Sequence, residues 1–401
     1  MHIGLYSPSW PPSKAANGIV TYVDGLREGL RRLGHRVTIV AGCADDAYVG
    51  DDVCVVRSSG VSRVSRAAKR LFGASSRSSD EFADAIGATL QTIHLQAPLD
   101  VFEMEESFGW CAHVRRRSPA PVVVKLHGPA FLSLTSAELA TLGGQGRVRL
   151  EGRALREIDA IVAPSRSTLD DTIRYYSLAP KLCSTVFNPV RIPPEAGTWS
   201  SEGCDPNTLL FVGRFDRPKG ADMVLQAFAG LHASHPELNL VMVGPDVGIA
   251  TDDGRFLKFE EYANERLPPS VRARVRFLGP LPPDAVRRWR VRSACVLLGS
   301  RRESYGYAAA EAMAQGCPIV AFDAPGTNEL VQHEATGLLA PLEEHRVFAD
   351  MIGRMLGDVE LAKQFGRAAR EVIVTSHGID QVASEMEGVY AKAVAQYSSG
   401  G

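Results

Sequence analysis

Short β-branched runs alternate along the whole chain with stretches whose apolar residues recur every three or four positions. That alternation predicts parallel sheets covered by helices. His2–Tyr6 reads as a strand and residues 7–18 as a loop. Ile19, Val23, Leu26, Leu30 and Leu33 then share one helical face before Gly34 supplies a stop. Val37–Ala41, Val53–Arg57, Asp100–Glu103, Pro121–Leu126 and Ala160–Ala163 are predicted as further strands of the same sheet. The pattern lapses in PVRIPPEAGTWSSEGCDP, a proline-rich stretch with the composition of a linker. A second series follows, with strands predicted at Thr208–Val212, Asn239–Val243, Val275–Leu278, Ala294–Leu298, Pro318–Phe322 and Gly337–Ala340. Ile379, Val382, Met386, Val389 and Tyr390 line one stripe of a last amphipathic helix. The expected organisation is an α/β protein of two Rossmann-like domains, 1–190 and 207–378. Residues 191–206 would be the linker, and the helix in 379–401 would pack back on the first domain.

Length and composition sharpen this. At about 150 residues per domain, 401 residues suit two domains. A net charge of −2 gives no field for gripping a polyanion, which argues against a nucleic-acid partner. No apolar run approaches the ~18 residues of a membrane span. The start, MHIGLYSPSWPP, lacks the charged and apolar regions of a secretory signal. Seven cysteines with no C-x-x-C pair point to a reducing, cytoplasmic setting. No Asp-x-Asp and no His-Glu-x-x-His occur, so neither a metal site nor a cofactor is predicted.

Open α/β sheets bind ligands beyond the C-terminal ends of their strands. After the strand at 208–212 comes Gly213-Arg214-Phe215-Asp216-Arg217-Pro218-Lys219-Gly220, then a helix. Two glycines, an Arg and a Lys at a helix N-terminus suit a phosphate; by itself the segment is equally a solvated basic turn. After the strand at 294–298, Glu303 lies in a loop and Glu311 in the helix that follows Gly306. Positions i and i+8 sit about 80° apart on a helix, so these are one loop and one helix carboxylate rather than a stacked pair. Acceptor-only carboxylates suit sugar and ribose hydroxyls, although Glu311 also fits a solvated helix position.

The run Ser300-Arg-Arg-Glu303-Ser-Tyr-Gly306-Tyr-Ala-Ala-Ala-Glu311-Ala-Met-Ala-Gln-Gly316-Cys-Pro318 resembles the signature of the GT-B glycosyltransferases of family 4. Gly213-Arg214 with Lys219-Gly220, Val243-Gly244 and Thr336-Gly337-Leu338-Leu339 fit in order. The resemblance implies two Rossmann-like domains facing each other across a cleft. It also implies a retaining, metal-independent transfer of a sugar from a nucleotide diphosphate, UDP rather than GDP, to a hydroxyl acceptor. That acceptor would be a small molecule, a glycan or a lipid-linked group. Arg214 and Lys219 would hold the diphosphate, Glu311 the ribose and Glu303 the transferred sugar. Gly244 and the backbone at Ser304, Tyr305, Gly306 and Tyr307 would complete the donor site. His127 would face the donor sugar and join Glu303, Arg214 and Lys219 in catalysis. Asn17-Gly18 stands where the family has a Gly-Gly turn, Asn17 being a residue that tolerates positive φ. Ala324–Glu329 departs from the usual Gly-Gly-x-x-Glu, which leaves the sugar open.

Two features of the first half remain. Val61, Val64, Ala68, Leu71 and Phe72 share an arc of about 100°, with Arg63, Arg66, Lys69 and Arg70 elsewhere. Residues 61–72 therefore suit an anionic membrane surface, such as peripheral contact with an inner membrane, an anionic acceptor, or an ordinary surface helix. Glu103, Glu105 and Glu106 would line an acceptor pocket or a solvated loop. A sugar-nucleotide epimerase and a catalytically silent nucleotide-sugar-binding subunit are the alternatives to a transferase. A nicotinamide dehydrogenase is disfavoured by the lack of G-x-G-x-x-G after the first strand.

Overall fold

A computed structural model describes residues 1–12, 17–44, 52–57, 76–251 and 254–399. The basic helix expected over 61–72 lies outside the described residues. The chain forms two units, Met1–Pro189 with Ile379–Gly401, and Val190–Gly378.

In the first unit seven strands, β1 (His2–Ser7), β2 (Arg36–Ala41), β3 (Val53–Val55), β4 (Val101–Glu105), β5 (Val122–Lys125), β6 (Ala160–Ala163) and β7 (Cys183–Thr185), make a sheet ordered 3-2-1-4-5-6-7. All neighbours are parallel. Both faces are covered, so the central strands are near-continuous apolar runs. The order reverses between β1 and β4, which marks a topological switch point. Asn17 caps helix Gly18–Arg32: its side chain accepts from the Ile19 N–H at 2.9 Å. Its φ is −140°, so the positive φ considered for Asn17 is not used: capping needs extended backbone there.

Helix Ile379–Ser399 belongs to this unit. It packs so closely on helix Gly18–Arg32 that a Cβ at Gly29 would lie 2.6 Å from that of Ala383. Arg32 pairs with Asp380 at 3.0 Å, His35 with Glu387 at 2.9 Å, and the Tyr390 hydroxyl donates to Glu103 at 2.7 Å.

In the second unit β8 (Asp205–Val212), β9 (Asn239–Val243), β12 (Val275–Phe277), β13 (Ser293–Leu298), β14 (Ile319–Phe322) and β15 (Leu338–Ala340) form a parallel sheet ordered 12-9-8-13-14-15. A small antiparallel pair, β10 (Ile249–Ala250) and β11 (Phe256–Leu257), sits beside it in sequence. The switch point falls between β8 and β13. Residues expected as a linker, 191–206, are held to this unit. The Trp199 ring N–H donates to Ser293 O at 2.9 Å, and Arg370 donates to Pro193 O at 2.9 Å. β8 itself begins at Asp205. Where the chain crosses between units, Val190 N–H donates to His377 O at 2.8 Å. Among the described residues no helix is long and apolar enough to cross a membrane.

Candidate active site

Leu210 and Phe211 of β8 pair with Val296 and Leu297 of β13, so the loops 213–220 and 299–306 leave the sheet side by side. They touch backbone to backbone. Gly220 has φ +66°, and a Cβ there would lie 1.7 Å from Gly299 O, so only glycine fits. Gly220 also opens helix Ala221–Leu231, whose first N–H groups lack intrahelical partners.

The predicted loop residues meet at this junction. Lys219 Nζ lies 2.6 Å from Glu303 Oε1, and Ser300 Oγ donates to the same oxygen at 2.7 Å. Glu303 N–H donates to Pro325 O at 2.9 Å. Gly326, at φ +81°, backs this turn; a Cβ there would come within 1.9 Å of Glu303 O. Arg214 Nε donates to Asp216 Oδ2 at 2.6 Å, and Asp216 Oδ1 takes the Lys219 N–H at 2.9 Å. The buried Asp216 carboxylate thus fixes one cation by its side chain and the other by its backbone. Arg214 stays half exposed, and among the described residues its terminal nitrogens have no partner.

Glu311 projects from helix Tyr307–Ala314, which Gly306 opens at φ +90°. Its Oε2 pairs with the buried Arg290 of helix Pro283–Arg292. Gly244, just past the end of β9, has φ +146°, and a Cβ there would lie 2.0 Å from the Gly213 carbonyl oxygen. The Tyr305 side chain is buried and bonds His377 Nδ1 at 2.9 Å. Burial pushes the phenol well above its usual range and His377 down to about 4. Both therefore stay neutral, so Tyr305 can offer a ligand only its backbone. Tyr307 packs edge-on against that ring at 5.1 Å, with Ser304 in the turn before them.

Sequence reasoning missed Asp216, Ser300, Arg290 and Arg301 as supports. Arg301 forks onto Asp222 at 2.9 Å on both nitrogens and also pairs with Glu343. It faces a 630 Å³ cavity lined by Arg217, Asp222, Tyr262 and His345, and by none of the predicted donor residues.

In the first unit, Asn17 and Gly18 are exposed at the start of their helix. His127 follows β5, its ring edge-on to Tyr22 at 5.0 Å. Burial, helped by Lys125, pushes His127 down to about 3, so its imidazole is neutral. Glu103, Glu105 and Glu106 do not line a solvated loop: all three are buried, and the first two belong to β4. Glu106 accepts from the N–H groups of His127 at 3.0 Å and Gly128 at 2.8 Å. Burial pushes Glu103 up to about 7 and Lys125 down to about 7. Both shifts point toward the neutral forms.

Comparison with known proteins bears on both units. The description "Glycosyl transferase 4-like domain" matches residues 17–184, and "Glycosyl transferases group 1" matches residues 200–372. A D-inositol 3-phosphate glycosyltransferase of Streptomyces bingchenggensis is 29% identical over 298 residues, 72% of this chain and 65% of that one. The enzyme of that name in Rhodococcus jostii is 32% identical over 250 residues, covering 59% of this chain and 53% of its own. This chain therefore matches somewhat less than two thirds of the length of these relatives. Among solved structures, the sucrose-phosphate synthase of Thermosynechococcus elongatus superposes with a TM-score of 0.75 at 20% identity, covering 98% of this chain and 99% of its own. Anabaena HepE in complex with UDP-glucose superposes at 0.70 and 17% identity, covering 98% and 100%. Those likenesses establish the fold, and the two family matches run in sequence through both sheets. The chain belongs to the GT-B glycosyltransferases of the group 1, family 4 type.

Proposed function

We propose that this chain moves a hexose from a nucleoside diphosphate, UDP in preference to GDP, to a hydroxyl acceptor, with retention at the anomeric carbon. The donor is its substrate, and no metal or further cofactor takes part. The observation that carries this reading is the Lys219–Glu303 contact at the β8/β13 switch point, where ligands of open sheets bind.

Departure of the diphosphate builds negative charge on its oxygens. Arg214 offers its unpartnered terminal nitrogens as a fork, and Lys219 adds a point charge. The N-termini of helices Ala221–Leu231 and Tyr307–Ala314 add N–H donors where that charge forms. The chain's own cations do the work that a metal would otherwise do. Glu303 keeps Oε2 for a sugar hydroxyl while Oε1 holds Lys219 and Ser300; Glu311 keeps Oε1 for the ribose while Oε2 holds Arg290. Neutral His127 serves as a hydrogen-bond partner for the donor sugar rather than as a proton carrier. With no carboxylate assigned as nucleophile, the acceptor hydroxyl attacks from the face that the leaving diphosphate departs, and its proton passes to that departing phosphate as the anomeric C–O bond to it breaks. The setting is cytoplasmic, with residues 61–72 in peripheral contact with the inner membrane.

The test combines UDP-glucose with inositol 3-phosphate, a glycan and a lipid-linked acceptor, with and without chelator. The expected result is UDP release, a new glycoside with the donor's anomeric configuration, and indifference to the chelator. Conversion of the sugar nucleotide without any acceptor would replace this reading with an epimerase. Binding without turnover for any UDP-, GDP- or ADP-sugar would leave a silent binding subunit.

A further inference from the structure

Three buried glutamates cluster at the first unit's switch point, and the proposed transfer uses none of them. Each gives its oxygens to backbone amides. Glu105 takes the Ser107 N–H at 2.6 Å; Glu151 takes the Ala130 N–H at 2.7 Å and pairs with Arg147 at 3.1 Å. Glu106 differs in what it holds. Its carboxylate, at the end of β4, spans two successive amides at the exit of β5, those of His127 and Gly128. Hydrogen bonds to an ionised acceptor are shorter and about twice as strong as neutral ones. The charge on Glu106 therefore decides how firmly this exit is held, and the His127 side chain departs from it.

We propose that Glu106 is a positioning residue for His127: its ionised carboxylate clamps the exit of β5 and so sets the direction of the imidazole. The inference rests on the reading that His127 meets the donor sugar.

The groups around Glu106 make its clamp pH-dependent. Glu105 faces it from its own strand end, Glu151 and Arg147 from helix Leu142–Leu155, Cys111 from helix Trp110–Arg117, and Tyr176 from helix Arg166–Tyr176. His127, itself neutral, lies on the clamped loop. Burial first, then the charges of Glu105 and Glu151, raise the Glu106 carboxyl to about 8. Below that pH one oxygen carries a proton and the grip on the two amides weakens.

Two readouts test this. In protein labelled with ¹⁵N-histidine and ¹⁵N-glycine, the His127 amide signal is identified by its loss in His127→Ala. It should move with a midpoint near pH 8 in the wild type and stay fixed in Glu106→Gln. A wild-type signal that does not titrate overturns the proposal. In UDP release from UDP-glucose at pH 9, where Glu106 is ionised, Glu106→Gln should lower kcat about tenfold, leave donor KM within about twofold, and add nothing to the loss in His127→Ala, because both act through one side chain. Wild-type turnover in Glu106→Gln, or losses that multiply in the double variant, overturns it. Should Glu106→Gln not fold, Glu105→Gln replaces it: with one neighbouring charge gone, the amide midpoint should fall by about one pH unit, and an unmoved midpoint refutes the clamp. Failure of the wild type to release UDP would count against the proposed donor chemistry, and the amide titration would then decide the clamp by itself.

Discussion

Each charged side chain at the candidate site is held by a second one, and the two members of a pair do different work. In the proposed transfer Lys219 sits where charge develops on the leaving diphosphate, so its contribution is greatest in the transition state. Arg290 is buried beneath Glu311, so in the proposed transfer it acts on the nucleotide only through that carboxylate. Lys219→Ala should therefore lower kcat by about 10²–10³, the scale for losing one donor to a developing anion, with an unchanged circular dichroism spectrum. Arg290→Met should instead raise donor KM, because an unbraced Glu311 holds the ribose less well. Steady-state kinetics with UDP-glucose separates the two, and equal effects on kcat and KM in both variants would refute the division. The convergence of Lys219 and Glu303 was legible in the sequence because a site for phosphates and hydroxyls demands Arg, Lys, Glu and Gly at strand ends. Their braces were not. Asp216, Ser300 and Arg290 are common residue types whose role depends on which side chain folding brings opposite them, and spacing along the chain does not encode that.

Most elements were legible because a strand covered on both faces must be apolar throughout. β7 escaped notice for the converse reason: Cys183–Thr185 is a short, polar edge strand, partly exposed. β10 and β11, two residues each, are too short to show a period. The sequence leaves Glu103, Glu105 and Glu106 open to an acceptor pocket or a solvated loop, because a charge does not by itself show that its oxygens are satisfied inside the fold, as they are here. That burial has a thermodynamic consequence. Glu103 accepts from Tyr390 of the returning helix, yet burial holds its carboxyl at about 7 instead of the ordinary 4.5. Below pH 4.5 the group is protonated in both folded and unfolded chains. Between 4.5 and 7 the unfolded chain ionises first and binds fewer protons, so stability falls as pH rises, levelling above 7. Glutamine has no proton to lose. The melting temperature of Glu103→Gln should thus gain on the wild type from pH 5 to pH 7, toward a limit of about 3 kcal/mol. Lys125, depressed to about 7, shifts stability the other way only above pH 7, so that range isolates Glu103. A difference that is flat over the range would show that Glu103 ionises normally.

At the scale of the whole chain, two sheets with separate apolar cores make two units, and each has its own reason to be stable. The count of domains was legible from the lapse in periodicity near Pro189. The pinning of residues 191–204 to the second unit was not, since it depends on Trp199 and Arg370 finding distant carbonyls. Arg214 and Lys219, the cations proposed to hold the diphosphate, both belong to the second unit, and that proposal dictates how a donor should alter unfolding. A ligand that binds only the native state adds RT ln(1 + [L]/Kd), about 2.7 kcal/mol at a hundredfold excess over Kd. In a panel of UDP-, GDP- and ADP-sugars, UDP-sugars should raise the melting temperature most. The same nucleotide should produce little shift in Arg214→Ala combined with Lys219→Ala, even though both cations lie on partly exposed loops and their removal leaves the fold in place. If the variant without either cation were stabilised as strongly as the wild type, the diphosphate would be binding elsewhere, and the assignment of the 213–220 turn would fall with it.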